Sequence, residues 1–391
     1  MDILKAYRFK LEPTTEQEQF FLQSVGNARL VWNKMLSLNL WRLESGYPLI
    51  WYSEMSKMLT LWKQTEELSF LKSSYSHTLQ QKLKDLEKAF KDAFDKTQPN
   101  KCVPTFKKKG RCTDSIRFPS NVSVVGPERN IVSLPKVGEV RFRRTRRVKG
   151  EIRSATVSFE SGKWYISILC KVEHQPTSMA TSAVGIDMGV VHFATITDGQ
   201  THSHIEPLNS FRASEKRLAK AHRSLSRKVR FSSHWKKQRA RVAKIHSHIA
   251  NQRKDFLHKN STKLCKNHAA IVVENLKVRN MSRSAKGTTE EPGTNVKAKS
   301  GLNKSILDQG WSMFVGQLEY KLAWQQGTLI RVNPKNTSRT CPCCGFVSVD
   351  NRKTQANFEC VDCGFEENAD VVGALNVLAR GHRVIACGGV A

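Results

Sequence analysis

The sequence has no apolar run near the roughly 20 residues that a bilayer span requires. Its longest uncharged strand-like piece is 164–170. A function embedded in a membrane is therefore not expected. The opening residues, with Asp2 and Lys5, lack the apolar core of an export leader. The chain is thus expected in a reducing cytoplasm, where its ten cysteines should be thiols or metal ligands, not disulfides. Acidic residues are scarce as well: 34 Asp and Glu stand against 64 Lys and Arg, a formal charge of +30. A surplus of that size implies a polyanionic partner, and nucleic acid is the first candidate.

What the chain does contain begins with length. At 391 residues and 39% hydrophobic composition it can bury a real core and should hold two or three domains. Among its few acids, three are spaced far apart. Asp187 lies in Val-Gly-Ile-Asp-Met-Gly (184–189), Glu274 ends Ala-Ala-Ile-Val-Val-Glu (269–274), and Asp370 lies in Asn-Ala-Asp-Val-Val-Gly-Ala-Leu-Asn (368–376). The first two follow short β-branched runs that read as buried strands. Singly, each is an ordinary turn or surface residue. Together at a sheet edge, they would need a compensating cation, and Mg²⁺ held there would serve phosphodiester hydrolysis.

In chain order, residues 3–11 alternate as a strand. Pro13 ends it, and Thr14 or Thr15 with Glu16 or Glu18 caps a helix. The pattern stays helical to about Phe94, with Leu79, Leu83, Leu86, Phe90 and Phe94 on one face. A Pro- and Lys-containing link (98–110) leads to six short strands up to about Val172, read as a small barrel or folded-over sheet that strand 3–11 joins. Within it Arg141, Arg143, Arg144, Arg146, Arg147 and Lys149 are denser than solubility needs and are assigned to phosphate. Strands at 183–188 and 191–197, and a third near His202, form an antiparallel opening. Residues 212–266 are helical with a break near Ser232-Ser233, and carry eighteen Lys and Arg against two acids. Helix faces normally mix charges, so this one, including Lys236, Lys237, Arg239 and Arg241, reads as a nucleic-acid groove. Strand 269–274, a mobile loop over 280–304, a helix over 305–326, strand 328–332 and a helix from Ala369 complete the chain.

Between the last two lies Cys341-Pro-Cys-Cys344 and, fifteen residues later, Cys360-Val-Asp-Cys363. Two such pairs at this separation are a strong tetrahedral Zn²⁺ signal, and Gly345 and Gly364 suit the turns of a zinc ribbon. Cys343 is an extra thiol in the first pair. Cys102, Cys112, Cys170, Cys265 and Cys387 have no partner spacing.

The segments 184–199, 272–276, Thr-Ser-Arg-Thr-Cys-Pro-Cys-Cys-Gly (337–345) and 368–370 closely resemble the TnpB (OrfB) family. So do 7–14, 255–262 and Leu-Asp-Gln-Gly-Trp (307–311), so the resemblance covers nearly the whole chain. It implies an α/β multidomain protein. An RNase H-like (RuvC) nuclease core over 179–336 and 367–391 would carry an inserted zinc ribbon at 337–366. An N-terminal β-barrel-like wedge domain (1–12 and 98–178) would carry a helical recognition lobe at 13–97. It further implies an insertion-sequence RNA-guided DNA endonuclease, cutting guide-matched DNA next to a short target-adjacent motif. Asp187, Glu274 and Asp370 match the catalytic, metal-holding positions for two Mg²⁺ or Mn²⁺, and Cys341, Cys344, Cys360 and Cys363 match the ligands of one Zn²⁺. The expected partners are a guide RNA from the transposon end and double-stranded target DNA, with no membrane and one monomer per guide, in a prokaryotic cytoplasm at the nucleoid. Tyr52 and Gln80 in the helical lobe are candidates for the adjacent motif. One departure is visible: Val371-Val372-Gly373-Ala374 replaces the nearby Asn and alanine pair usual after the last Asp, although Asn376 remains. An RNA-guided repressor that does not cut, or an accessory transposase protein, is the alternative.

Overall fold

Alternation at the N-terminus becomes a strand that buries every second residue. In the computed structural model, which describes residues 1–126, 128–176 and 182–386, β1 (Asp2–Glu12) turns Ile3, Tyr7, Phe9 and Leu11 inward. Pro13 stops it. Thr14 then caps α1 (Thr15–Glu44) in a reciprocal pair with Gln17, the N3 residue, so the capping partner is Gln17 and neither Glu16 nor Glu18. Helices α2 (Tyr52–Gln64) and α3 (Ser76–Phe94) follow. Leu79, Leu83, Leu86 and Phe90 of α3 are fully buried, whereas Phe94 at its C-terminal end is half exposed.

The β-rich stretch forms β2 (Asp114–Phe118), β3 (Ser123–Val125), β4 (Ile131–Leu134), β5 (Gly138–Arg143), β6 (Glu151–Glu160) and β7 (Lys163–Glu173). With β1 they make one seven-stranded sheet in the order β2-β6-β7-β1-β5-β4-β3, every neighbour antiparallel. The N-terminal strand thus sits in the middle, pairing Ile3 with Val172 and Lys10 with Arg143. The ladder is open, since β2 and β3 do not pair with each other among the described residues, which fits the sheet and not the closed barrel of the two forms expected. Its inner face joins the apolar faces of α1 and α3 in one core around Phe21, Met35, Phe118 and Phe142. These elements make up the first compact unit, Met1–His174.

The second unit spans Gln175–Ala391. The antiparallel strands β8 (Ala183–Asp187), β9 (Ala194–Thr197) and β10 (His202–Ile205) open it, followed by α4 (Ser210–Ser226) and α5 (Ser233–Asn267). Strand β11 (Ala270–Glu274), the single-turn α6 (Val278–Met281), α7 (Val296–Gln309), α8 (Trp311–Trp324) and β12 (Thr328–Val332) come next. The sheet order is β10-β9-β8-β11-β12, with β11 parallel to both β8 and β12. A hairpin of β13 (Asn357–Glu359) and β14 (Glu366–Asn368) leads into α9 (Ala369–Ala386).

The apolar runs of β8 and β11 follow from burial on both sheet faces. Ile271 and Val273 enter one core with Phe193, Phe314 and Leu318, while Val272 enters another with Val377 and Leu378 of α9. The stretch expected as a loop over 280–304 is helical from Val296, and the helix expected over 305–326 is two helices. Gly310 separates them at φ +75°, a backbone angle that side chains with a Cβ resist. Among the described residues no helix is long and apolar enough to cross a membrane.

Candidate active site and cysteine cluster

Strands β8 and β11 run parallel in register, Ile186 opposite Val273, so their terminal residues Asp187 and Glu274 leave the same end of the sheet side by side. Parallel neighbours sit about 4.8 Å apart, which fixes the spacing of the two acids at the backbone. Asp370 reaches them from the first turn of α9, where Asn368 Oδ1 accepts the Asp370 N–H at 2.9 Å. The helix can come this close because the sheet and helix carry glycines where they meet. A Cβ at Gly185 would lie 2.4 Å from Ala374 O, and one at Gly373 would lie 2.6 Å from Asp187 Oδ2. Within the Val371–Ala374 departure, Gly373 thus has a steric reason, as it is the wall against which the Asp187 carboxylate rests.

The electrostatics of the cluster are those of a buried negative site that Arg352 and Arg380 offset only in part. Burial, then the charges of Glu274 and Asp370, push the Asp187 carboxyl up to about 7. Burial also raises Glu274, against the lowering effects of Thr337 and Arg380. Like charges gathered in a desolvated place either take up protons or bind a cation. Oxygen donors only, hard to ionise together without a cation, suit Mg²⁺ or Mn²⁺. The three carboxylates are not a compact single-ion nest, however. Among the described residues, the four cysteines alone form a group of three or more potential ligands with all donor atoms within 4.8 Å of one another.

Two supporting residues, Thr337 and Arg352, were not singled out in the sequence, and a third, Asn376, was noted only as the residue kept after the last acid. Thr337 Oγ1 lies 2.5 Å from Glu274 Oε1 and is buried. Asn376, also buried, donates to Thr337 O and Thr340 O at 2.8 and 2.7 Å, tying α9 to the segment that holds Thr337. Arg352 extends from the cysteine-bearing segment to within 3.8 Å of Asp370 Oδ1, and its charge opposes the rise at Asp187. The only sequence signal for Thr337 and Asn376 was their presence in the quoted motifs; nothing distinguished Arg352 from other arginines.

The four paired cysteines converge. Cys341 and Cys363 sulfurs are 3.6 Å apart, as are those of Cys344 and Cys360. Tetrahedral Zn–S bonds of about 2.3 Å imply ligand separations of about 3.8 Å, so the donor set fits Zn²⁺. The two halves repeat one turn: Cys341 N–H donates to Phe346 O and Gly345 N–H to Cys341 O, while Cys360 N–H donates to Phe365 O and Gly364 N–H to Cys360 O. Gly345 and Gly364 have φ of +79° and +71°, as those turns require. Cys343 is exposed and outside the cluster. Cys102, Cys112, Cys170 and Cys265 are free, and Cys387 lies outside the described residues.

Arg143, Arg144, Arg146 and Arg147 are exposed at the end of β5 and in the loop after it, with Arg146 over the Tyr7 ring. Lys236, Lys237, Arg239 and Arg241 are exposed along α5, with Arg239 over the Trp235 ring. The basic helix pair is anchored by a buried acid: Asp308 accepts from Phe211 N–H and Ser210 Oγ at the start of α4 and pairs with Arg253 of α5 at 2.7 Å. Tyr52 begins α2 with Lys84 of α3 over its ring, and Gln80 lies one turn before Lys84. The side chain of Gln80 is half-buried.

Comparison with known proteins agrees across the chain. Residues 167–285 match the OrfB family of IS605, described as "Probable transposase", and residues 311–377 match "Cas12f1-like, TNB domain". Residues 1–47 match a "Helix-turn-helix domain", although here they form strand β1 and the single helix α1. A "Putative RNA-guided DNA endonuclease InsQ" of Escherichia coli is 46% identical over 99% of this chain and 95% of its own length. A "Putative RNA-guided DNA endonuclease" of Streptomyces pristinaespiralis is 32% identical over 99% of this chain and 91% of that relative. Among solved structures, the "mini-RNA-guided endonuclease CRISPR-Cas_phi3" aligns with 97% of this chain and 92% of its own at 12% identity and a TM-score of 0.47, too loose to add to the fold described above.

Proposed function

The chain belongs to the OrfB (TnpB) family of IS605-type insertion sequences, and from that premise we propose that it is an RNA-guided DNA endonuclease. The observation that carries the reading is the meeting of Asp187, Glu274 and Asp370 at one end of a mixed sheet, with Asp187 held near neutral pKa by burial and by the other two. The strand order, with an antiparallel trio continued by two parallel strands and a helix bearing the last acid, supports an RNase H-like core of the RuvC type.

Asp187, Glu274 and Asp370 would together hold two divalent ions. Bound Mg²⁺ or Mn²⁺ would lower the pKa of the attacking water and offset charge on the leaving 3′ oxygen. Thr337 holds Glu274 in one rotamer through its hydroxyl, and Gly373 gives the Asp187 carboxylate its place. Arg352 is a cation at the cluster's edge suited to the scissile phosphate. The Cys341, Cys344, Cys360 and Cys363 sulfurs would hold one Zn²⁺ and so fix the segment that carries Arg352.

Residues 1–12 and 98–178 would act as the wedge domain and 13–97 as the recognition lobe, with Tyr52 and Gln80 offered to the target-adjacent motif. The exposed arginines after β5 and the lysines and arginines of α5 supply phosphate contacts to guide RNA and its DNA hybrid. Guide pairing would choose the target, while the protein reads backbone shape and the adjacent motif. The guide would come from the transposon end, with one protein per guide.

The test uses one RNA-loaded preparation and measures cleavage and DNA retention together. Asp187→Ala should abolish cleavage of guide-matched DNA and leave RNA and target binding intact, and Glu274→Ala and Asp370→Ala should behave alike. Combining them should add little, because the three act as a unit. Mg²⁺ or Mn²⁺ should support cutting and Ca²⁺ poorly, since Ca²⁺ prefers longer bonds and looser geometry. Cutting at the wild-type rate by Asp187→Ala would make the acids structural and end the nuclease reading.

A further inference from the structure

Next to Glu274 the second unit contains a cavity of about 320 Å³. It is bounded by the residues that follow two of the acids, Met188 and Leu276, and by Trp311, Val315 and Gly316 on one face of α8, with Glu274 itself in the wall. That volume lies at the small end for ligand pockets and admits one flat ring system. At the rim, Arg331 of β12 pairs with Glu319 of α8 at 3.0 Å, both well exposed.

The helical wall of the cavity is lowest at Gly316. Gly316 sits in the middle of α8, where glycine weakens a helix. A Cβ there would meet no atom within 4 Å, so packing does not demand the small residue. The glycine instead leaves the wall open.

We propose that this cavity receives one nucleobase of the DNA strand being cut, unstacked from the nucleotide beside the scissile phosphate. The proposal rests on the nuclease reading above. The apolar walls of Met188, Leu276 and Val315 suit the faces of a base, and the Ser312 hydroxyl and Asn275 amide suit its polar edge. Because the cavity abuts a carboxylate assigned to the reacting phosphate, a base seated there can remain joined through its own sugar to that phosphate. Extruding a base costs least in a strand already displaced from its partner. Seating one base would fix the register of the phosphate over the three acids.

The experiment is an abasic scan. The RNA-loaded full-length protein is given guide-matched DNAs, each lacking one base at a position flanking the cut in the cut strand. One position should cut about ten-fold more slowly in kcat/KM, the scale of one lost base contact, while its neighbours cut normally. Gly316→Leu, which fills the cavity, should cut intact DNA about ten-fold more slowly and be indifferent to the abasic site. Its zinc content and melting temperature report whether it has folded. A flat scan with the wild-type protein overturns the proposal whether or not the variant folds. So does a Gly316→Leu protein that keeps the wild-type rate and the wild-type sensitivity. A wild-type protein that cuts no guide-matched DNA fails the nuclease reading itself, an outcome distinct from a flat scan in a protein that cuts.

Discussion

Replacing Asp187 by Asn should make the magnesium-free protein more stable above pH 7 while abolishing cleavage. Asp187 ends β8 in a desolvated place beside Glu274 and Asp370, and its carboxyl is pushed up from 3.8 to about 7. An acid whose pKa is raised by folding binds its proton more tightly in the native state. The destabilisation is therefore absent below about pH 4, grows as pH rises between the two values, and is complete above about pH 7. At about 1.4 kcal/mol per pH unit the span corresponds to at most about 4 kcal/mol. Asp187 keeps some contact with solvent, and screening there should reduce the effect to about 2 kcal/mol. In a unit of roughly 200 residues that is a rise in Tm of about 4–8 °C. The assay is thermal unfolding of Asp187→Asn and wild type from pH 4 to 9, with magnesium omitted and zinc retained. The two should coincide at pH 4 and separate above pH 7. Added Mg²⁺ should raise the wild-type Tm at pH 8 and leave the variant nearly unmoved, because a ligand stabilises only the state that binds it. A variant no more stable than wild type at pH 8, or a gap that does not change with pH, would refute the electrostatic reasoning.

The cysteine cluster predicts about one zinc per chain by metal analysis; Cys360→Ser should lose it and destabilise the C-terminal region, whereas Cys343→Ser, outside the cluster, should retain it. Replacing Arg143, Arg144, Arg146 and Arg147 by Ala should weaken RNA binding and flatten its dependence on salt, since fewer counterions are released; an unchanged slope would mean that these arginines are only solvated. Gly373→Ala should keep the fold, since alanine favours helix by roughly 1 kcal/mol. Its Cβ would nevertheless stand 2.6 Å from Asp187 Oδ2, and cleavage should fall at least about ten-fold as the carboxylate is displaced; a wild-type rate would show that the carboxylate has room to turn.

Local signals were legible where a residue's environment is fixed by its neighbours in sequence. The alternation in 3–11, the six β-rich runs and the two halves of the basic helix appear where period and composition put them. The break in α7–α8 was not read, because a lone Gly310 inside an amphipathic pattern looks like a tolerated residue until its φ of +75° is known. The polar, Ser- and Lys-rich start of α7 has weak local helix signals and was read as loop. The choice between a small barrel and a folded-over sheet stayed open for a different reason: strand count is local, but closure depends on whether the edge strands β2 and β3 meet.

The sequence by itself determined the charge that demands a polyanion, the cysteine pairs whose spacing matches zinc, and three acids at the ends or starts of apolar elements. Each of these depends on residue type and short separation. The tertiary structure alone decided that Glu274 stands beside Asp187, since that follows from the parallel register of strands more than 80 residues apart. It also decided that Thr337 and Arg352 attend the acids, that Gly373 is the wall behind one carboxylate, and that a cavity opens beside another. Desolvation and Coulomb coupling depend on distance in space, and the sequence does not carry that distance until the chain has folded.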